Sequence, residues 1–202
     1  MQEQTITALC AALTAQQLPF AQGEPLAPHT TFKIGGPAAF WCTPRDAEQL
    51  RRTLQLCREN GVRVYLLGNG SNTLFDDAGF DGAVIDMRGL SGMENSGLDT
   101  DAVRQTLGRL CSKAQTLGLT GLEFACGIPG TVGGAVYMNA GAYGSELKDV
   151  LESVTFLDSD LQLRTLPAAD LAMGYRTSIF EQNPDWCILS ATVVLHRGDG
   201  AA

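Results

Sequence analysis

Three short segments carry residue types that could bind an anionic ligand or act on one. The first is Leu66-Leu67-Gly68-Asn69-Gly70-Ser71-Asn72-Thr73, an apolar stretch that ends in glycine. Successive backbone N–H groups in such a loop, with the short donors Ser71, Asn72 and Thr73, form a concave nest suited to a pyrophosphate. The same residue types also make an ordinary tight turn, so both readings stand. A GxGxxG dinucleotide fingerprint is excluded, because Thr73 occupies the place of its third glycine. No Gly-Lys-Ser/Thr follows to make a Walker loop.

The second segment, Gly121–Gly144, is apolar and glycine-rich at once. Surface loops are seldom so apolar, and helices seldom so rich in glycine. Close approach of the backbone to a large flat ligand accounts for both properties; a tight crossing of two packed elements would do so too. Within it Pro129-Gly130 turns the chain, Thr131 is placed to cap a short helix, and Gly133-Gly134 leave its start open to a ligand. The third segment is Gly174-Tyr175-Arg176-Thr177-Ser178-Ile179-Phe180. A guanidinium turned inward among Tyr, Ile and Phe is partly desolvated and needs an anion. A substrate carboxylate, a developing enolate, or a structural Asp or Glu would each serve.

The elements that must position these segments are read from apolar spacing. Ile6, Leu9, Cys10 and Leu13 predict a helix over Ile6–Leu18, after which Pro19, Pro25 and Pro28 give an extended connector. Phe40–Thr43 is strand-like, Asp46–Asn60 is an amphipathic helix stopped at Asn60-Gly61, and Val62–Leu67 and Ala83–Met87 are strands. A further helix spans Thr106–Leu117 and ends at Gly118. Ser153–Asp158 and Gln162–Leu166 read as paired strands around an Asp-Ser-Asp turn, and Cys187–Leu195 as a last strand before the small, polar Gly198–Ala202. Helices alternate with strands early and strands dominate late, which predicts an α+β fold.

Composition bounds the partners. A chain of 202 residues with 45% hydrophobic and 18% charged residues can bury a core for one domain or two packed lobes. Its formal net charge of −8, without a basic block, argues against nucleic acid or an anionic membrane as main partner. The six cysteines show neither CxxC nor histidine-spaced clusters, so no metal site is expected and reduced core thiols in a cytoplasmic protein are. Met1–Leu18 lacks a signal peptide's basic start and apolar run, and no stretch is long and apolar enough to span a bilayer. The oligomeric state is not encoded in any of these features.

Thr30-Thr31-Phe32-Lys33-Ile34-Gly35-Gly36, the Gly68–Thr73 loop, Gly121–Gly144 and Gly174–Phe180 stand in the order found in the UDP-N-acetylenolpyruvoylglucosamine reductase (MurB) family. The chain resembles that family from about Pro28 to Arg197, and the Gly-Gly-Ala-Val-Tyr-Met-Asn-Ala-Gly-Ala-Tyr-Gly form is similar to its type II branch. The resemblance implies a two-lobed FAD-binding fold of the vanillyl-alcohol-oxidase (PCMH) type. It divides the chain into an N-terminal helix and connector (1–27), a first lobe (28–90) and a second lobe (91–202). It further implies FAD as cofactor, NADPH as hydride donor, and reduction of the UDP-sugar substrate UDP-N-acetylglucosamine enolpyruvate to UDP-N-acetylmuramate, a precursor of bacterial peptidoglycan.

Carried onto matching positions, Gly68, Asn69, Gly70, Ser71, Asn72 and Thr73 would hold the FAD pyrophosphate. Ile128, Pro129, Gly130, Thr131, Gly133, Gly134 and Ala135, with Asn139, Gly141, Ala142 and Tyr143, would line the cofactor. Arg176 matches the catalytic arginine that stabilises the enolate-like intermediate, and Tyr175 would sit beside it against the substrate. Two departures bear on activity. The family's C-terminal substrate domain, with a proton-donating Ser and an assisting Glu, would follow Cys187–Leu195; residues 1–202 stop before it, and Ser178 and Ser190 lie outside that motif. Over Ser96–Gln105 the family has a small Ala/Gly-rich strand, whereas Asp99, Asp101, Arg104 and Gln105 stand here. Doubtful turnover by these residues alone is the resulting expectation, with a non-catalytic FAD-fold module or another flavoprotein oxidoreductase of the same fold as the alternatives.

Overall fold

Pro25 and Pro37 face each other at one end of a two-stranded antiparallel ladder, β1 (Phe20–Pro25) against β2 (Pro37–Cys42), where a missing N–H costs least. The sequence reading took the first of these strands for a connector, because prolines bracket it. In this computed structural model, which describes residues 1–90, 100–101 and 106–198, β1 is instead the edge strand of a sheet ordered β1-β2-β4-β3. Strands β3 (Val64–Leu67) and β4 (Phe80–Asp86) pair in parallel, as do β2 and β4. Helix α2 (Ala47–Glu59) carries the chain from β2 across to β3, and β3 reaches its parallel neighbour β4 through the loop 68–79. Asp46 caps it, its side chain accepting from Gln49 N at 2.7 Å, and Gly61 (φ 64°) ends it in the left-handed region. Helix α1 (Glu3–Ala15) packs on α2.

In β4, Ala83, Val84 and Ile85 are all fully buried, so both faces of this strand are covered. Val84 shares one face with Trp41 and, beyond them, Leu26, Leu67 and Phe75; Ala83 and Ile85 pair in register with Phe40 and Cys42. This first unit comprises Met1–Ser91 and the second Gly92–Ala202.

The second unit is built on an antiparallel sheet ordered β10-β9-β11-β5: β9 (Leu151–Leu157), β10 (Leu163–Pro167), β11 (Cys187–Val193) and the two-residue β5 (Thr100–Asp101). The Asp158–Leu161 turn joins β9 and β10 as the sequence predicts. Helix α3 (Leu107–Thr116), capped by Thr106, and the short α4 (Val132–Tyr137), capped by Thr131, contribute to one core with Val154, Phe156, Phe180 and Ala191. Small ladders, β6 (Leu119–Thr120) with β12 (His196–Arg197) and β7 (Gly141–Ala142) with β8 (Ser145–Glu146), and one-turn helix α5 (Ile179–Gln182) complete it. Apart from Thr100-Asp101, the Ser96–Gln105 departure lies outside the described residues.

None of the six cysteines is in a disulfide. Cys42, Cys57, Cys111 and Cys187 are buried as expected of core residues, whereas Cys126 is exposed. Burial pushes the Cys57 thiol up to about 12. Among the described residues no helix is long and apolar enough to cross a membrane, and no group of three or more His, Cys, Asp or Glu is placed to hold a metal ion.

Candidate functional site

In the first unit, β3 delivers the chain into the Gly68–Thr73 loop. Gly70 is buried with φ 63°, and a Cβ there would lie 2.2 Å from the His29 carbonyl oxygen. Glycine is therefore required twice over, by conformation and by the approach of another backbone. Thr31 fastens the contact, its N–H donating to Gly70 O at 3.0 Å. With the loop held through its carbonyl, the N–H groups of Asn69, Gly70 and Ser71 donate to no protein acceptor among the described residues. Thr73 Oγ1 lies 3.1 Å from Tyr65 OH.

The support beneath this loop was not picked out from sequence. The His29 ring stacks on Trp41 at 4.0 Å, its Nε2 is 2.8 Å from Glu24 Oε1 and its Nδ1 3.2 Å from Arg88 Nη2. Arg88 in turn grips Asp86 through two bonds of 2.8 and 2.9 Å, which hold its guanidinium above the usual arginine range. Glu24 and His29 come from one stretch of chain and Asp86 and Arg88 from another, 59 residues apart between His29 and Arg88, so no local spacing reveals them.

In the second unit, Gly127, Pro129 and Gly134 are exposed, Ile128 and Gly130 half-buried, and Thr131, Gly133 and Ala135 buried. A Cβ on Gly127 would meet nothing within 4 Å, and one on Gly134 only Thr131 Oγ1 at 3.4 Å. The strip thus presents backbone rather than side chains. After α4 comes the hairpin β7–β8. Tyr143 (φ 54°) and Gly144 (φ 87°) occupy its turn, both left-handed as a type I′ turn demands. Tyr143 is 94% exposed.

A second tight turn, Gly174–Thr177, carries Tyr175 (85% exposed) and Arg176 in the left-handed region with φ 57°. Arg176 is exposed, so the condition of an inward-facing guanidinium is not met. It makes no ion pair among the described residues and donates from Nη2 to Gly141 O at 3.0 Å. The two turns together edge a cleft of about 380 Å³ lined by Gly141, Ala142, Gly144, Glu146, Lys148, Tyr175 and Arg176 among others. Glu146, also missed from sequence, pairs with Lys148 and accepts from Asn139 Nδ2; these bonds and the nearby Arg176 charge hold its carboxyl below the usual range. Glu146 and Lys148 directly follow the apolar glycine-rich run, and that abrupt return of charge was the available signal. Asn139, read as a cofactor contact, is buried with its side chain directed at protein groups. Ser178 is buried, donating to Tyr137 O at 2.6 Å and capping α5.

Residues 38–166 match the profile of a family described as the FAD binding domain. The chain belongs to that family. It is 44% identical over 172 residues to the UDP-N-acetylenolpyruvoylglucosamine reductase of Clostridium beijerinckii, which covers 85% of this chain and 56% of that one. With the Clostridium perfringens protein of the same name the identity is 41% over 180 residues, 89% of this chain and 59% of that one. The resemblance to these reductases seen in the motifs therefore holds along most of the chain, which itself spans under two thirds of their length.

Among solved structures, the Thermus caldophilus MurB reductase aligns with a TM-score of 0.73 at 30% identity, over 91% of this chain and 64% of that one. The BBE-like 1 protein of Physcomitrella patens aligns with a TM-score of 0.71 at 17% identity, over 94% of this chain and 44% of that one, a likeness of fold alone. The expected α+β FAD-binding fold is the one observed. The residues present fit the cofactor: free amides on a glycine loop suit a pyrophosphate, and a side-chain-poor strip suits a flat ring.

Proposed function

We propose that this chain holds FAD for the NADPH-dependent reduction of UDP-N-acetylglucosamine enolpyruvate to UDP-N-acetylmuramate, in the cytoplasm. The names of the similar reductases support the substrate class, and the observation that carries the reading is Arg176. It is an exposed guanidinium that makes no ion pair among the described residues, held in a left-handed turn at the edge of a cleft. A non-glycine residue held in that region costs about 1–2 kcal/mol, and such outliers cluster where function needs them.

When bound, FAD supplies the hydride chemistry, taking hydride from NADPH and giving it to the enolpyruvyl double bond. In the first unit, Asn69, Gly70 and Ser71 offer N–H groups to the pyrophosphate, with Gly68, Asn72 and Thr73 completing the loop. In the second, Ile128–Ala135 and Gly141–Tyr143 offer backbone to the ring system. Arg176 faces the substrate carboxylate. Hydride arriving at the CH₂ carbon leaves negative charge on the carbon bearing that carboxylate, and a fixed guanidinium fork stabilises the resulting enolate; donors so placed are worth about 10²–10³ in rate. Tyr175 packs against the sugar. Ser178 is not the proton donor, since its Oγ is buried on the Tyr137 carbonyl.

The test is reconstitution of residues 1–202 with FAD, followed by titration with the enolpyruvyl substrate while flavin absorbance is monitored. Retained flavin and a saturable spectral change, lost in Arg176→Ala, are expected. Retained flavin with no response to the substrate would overturn the assignment while leaving the FAD fold intact.

A further inference from the structure

Four non-glycine residues of this region have left-handed backbones: Asn139, Tyr143, Ala172 and Arg176, at φ 43°, 54°, 48° and 57°. Tyr143 and Arg176 sit at exposed turns. Asn139 is different, being 1% exposed and placed where α4 has just ended. Its amide is completely used inside the protein. Nδ2 donates to Glu146 Oε2 at 3.0 Å and to Gly174 O at 2.8 Å, and Oδ1 accepts from Lys148 N at 3.0 Å. One short side chain thus ties the end of α4 to both turns of the cleft. Arg176, two residues beyond Gly174, closes the circuit by donating to Gly141 O.

We propose that Asn139 is a positioning residue that acts through Arg176, setting the orientation of its guanidinium without touching a ligand itself. The inference rests on the reading of Arg176 given above. No other side chain meets the requirement. Two donors and one acceptor are needed in one short planar group, and asparagine also tolerates the left-handed backbone better than most residues. Aspartate would lack both donors and set a second negative charge against Glu146. Alanine would leave the Gly174 carbonyl and the Lys148 N–H short of a partner. Without the tie to Gly174, the Tyr175-Arg176 turn keeps its own two bonds, Gly174 N to Thr177 O and Thr177 N to Gly174 O, but loses its anchor to the cleft.

A double-mutant cycle on the FAD-loaded chain distinguishes this role from plain structural support. Affinity for the enolpyruvyl substrate and the melting temperature are measured for the wild type, Asn139→Ala, Arg176→Ala and the double variant. Asn139→Ala is expected to weaken binding about tenfold with Arg176 present, and to change nothing further once Arg176 is gone. The loss in melting temperature should appear in both backgrounds. An undiminished affinity loss in the Arg176→Ala background overturns the proposal. Equal binding by the wild type and Arg176→Ala refutes the reading of Arg176, and this proposal with it.

If Asn139→Ala does not fold, Asn139→Ser, which keeps a short hydroxyl but cannot make all three bonds, takes its place. The Arg176 Nε–H signal in ¹⁵N spectra is then the readout, needing no substrate. A distinct Arg176 signal in the wild type that collapses toward the position of free arginine in Asn139→Ser supports the proposal. An unchanged signal, or one already averaged in the wild type, overturns it.

Discussion

The two glycine-rich segments look alike in composition and differ in what they leave exposed. Around Gly70 the protein satisfies the loop's carbonyl through Thr31, while the Asn69, Gly70 and Ser71 N–H groups donate to no acceptor among the described residues, so the backbone itself is what this loop offers a ligand. Around Gly141 the buried Asn139 amide is satisfied within the protein, and the turns project side chains, Tyr143, Tyr175 and Arg176. Glycine serves close approach in both: at Gly70 to the His29 carbonyl, and at Gly141 to Ser145 O, which a Cβ would meet at 2.6 Å. An amide nest binds anions whatever their attachment, whereas a guanidinium on a fixed turn selects for shape. The first region is accordingly suited to a cofactor's phosphates and the second to discriminating a substrate.

That contrast breaks if disturbing the first loop leaves flavin in place. Gly70→Ala forces a Cβ against the His29 carbonyl at a positive φ, and the two together should cost about 3 kcal/mol or more. The purified variant should come off the column without flavin absorbance and with a lower melting temperature than the wild type. A yellow, normally stable Gly70→Ala protein would mean that the loop is a plain turn.

The converse test uses the second region. Arg176→Lys retains a charge but loses the planar fork that reaches Gly141 O, and substrate affinity should drop roughly ten- to a hundredfold with flavin content unchanged. Titration of the flavin spectrum in both proteins measures it. Loss of flavin together with substrate would show that Arg176 serves the cofactor, and the division of labour would collapse.

How much of this was readable beforehand follows the same divide. Elements set by local rules were legible: the helices opening at Asp46 and Thr106, the Thr131 cap, the stops at Gly61 and Gly118, and the strands flanking the Asp158 turn all stand close to where periodicity and capping put them. So was the Gly68–Thr73 loop after its strand, because its residue types favour a turn in themselves. What was not legible depends on distant partners. The Phe20–Pro25 strand exists through pairing with Pro37–Cys42, and its prolines disguised it. The outward direction of Arg176 was open in the sequence, because its apolar neighbours, Ile179 and Phe180, turn into α5 and the core while the turn faces away. Asn139 reads as a ligand contact until its bonds to Gly174 and Lys148, 35 and 9 residues away, are seen.

A smaller effect sharpens the role of the framework behind Arg176. Ser178→Ala removes the hydroxyl that donates to Tyr137 O at 2.6 Å and receives Phe180 N as the α5 cap. A loss of about 1–2 kcal/mol is expected, which lowers the melting temperature by about 2–8 °C in a chain of this size. Flavin content should stay at the wild-type level. If Ser178→Ala instead melted normally but failed to turn over substrate, the serine would be chemical and not structural.

The smallest expected effect is on pH, and it falls on the second region through Glu146. Its carboxyl is held below the usual range first by the Lys148 ammonium, then by the Asn139 amide and the Lys148 and Arg176 charges; Asp149 also faces it, accepting from the Glu146 N–H. Because the folded value is depressed, the ordering contributed by ionised Glu146 is complete above the ordinary carboxylate value of about 4.3 and disappears as pH falls through the lower, folded value. The carboxylate is solvent-accessible, so screening keeps the effect modest. Substrate affinity of the wild type should therefore weaken as pH is lowered below that ordinary value, whereas Glu146→Gln should lack this contribution. Identical acid profiles for the two proteins, measured by the same flavin titration, would remove Glu146 from the framework and leave Asn139 and Gly141 to hold Arg176.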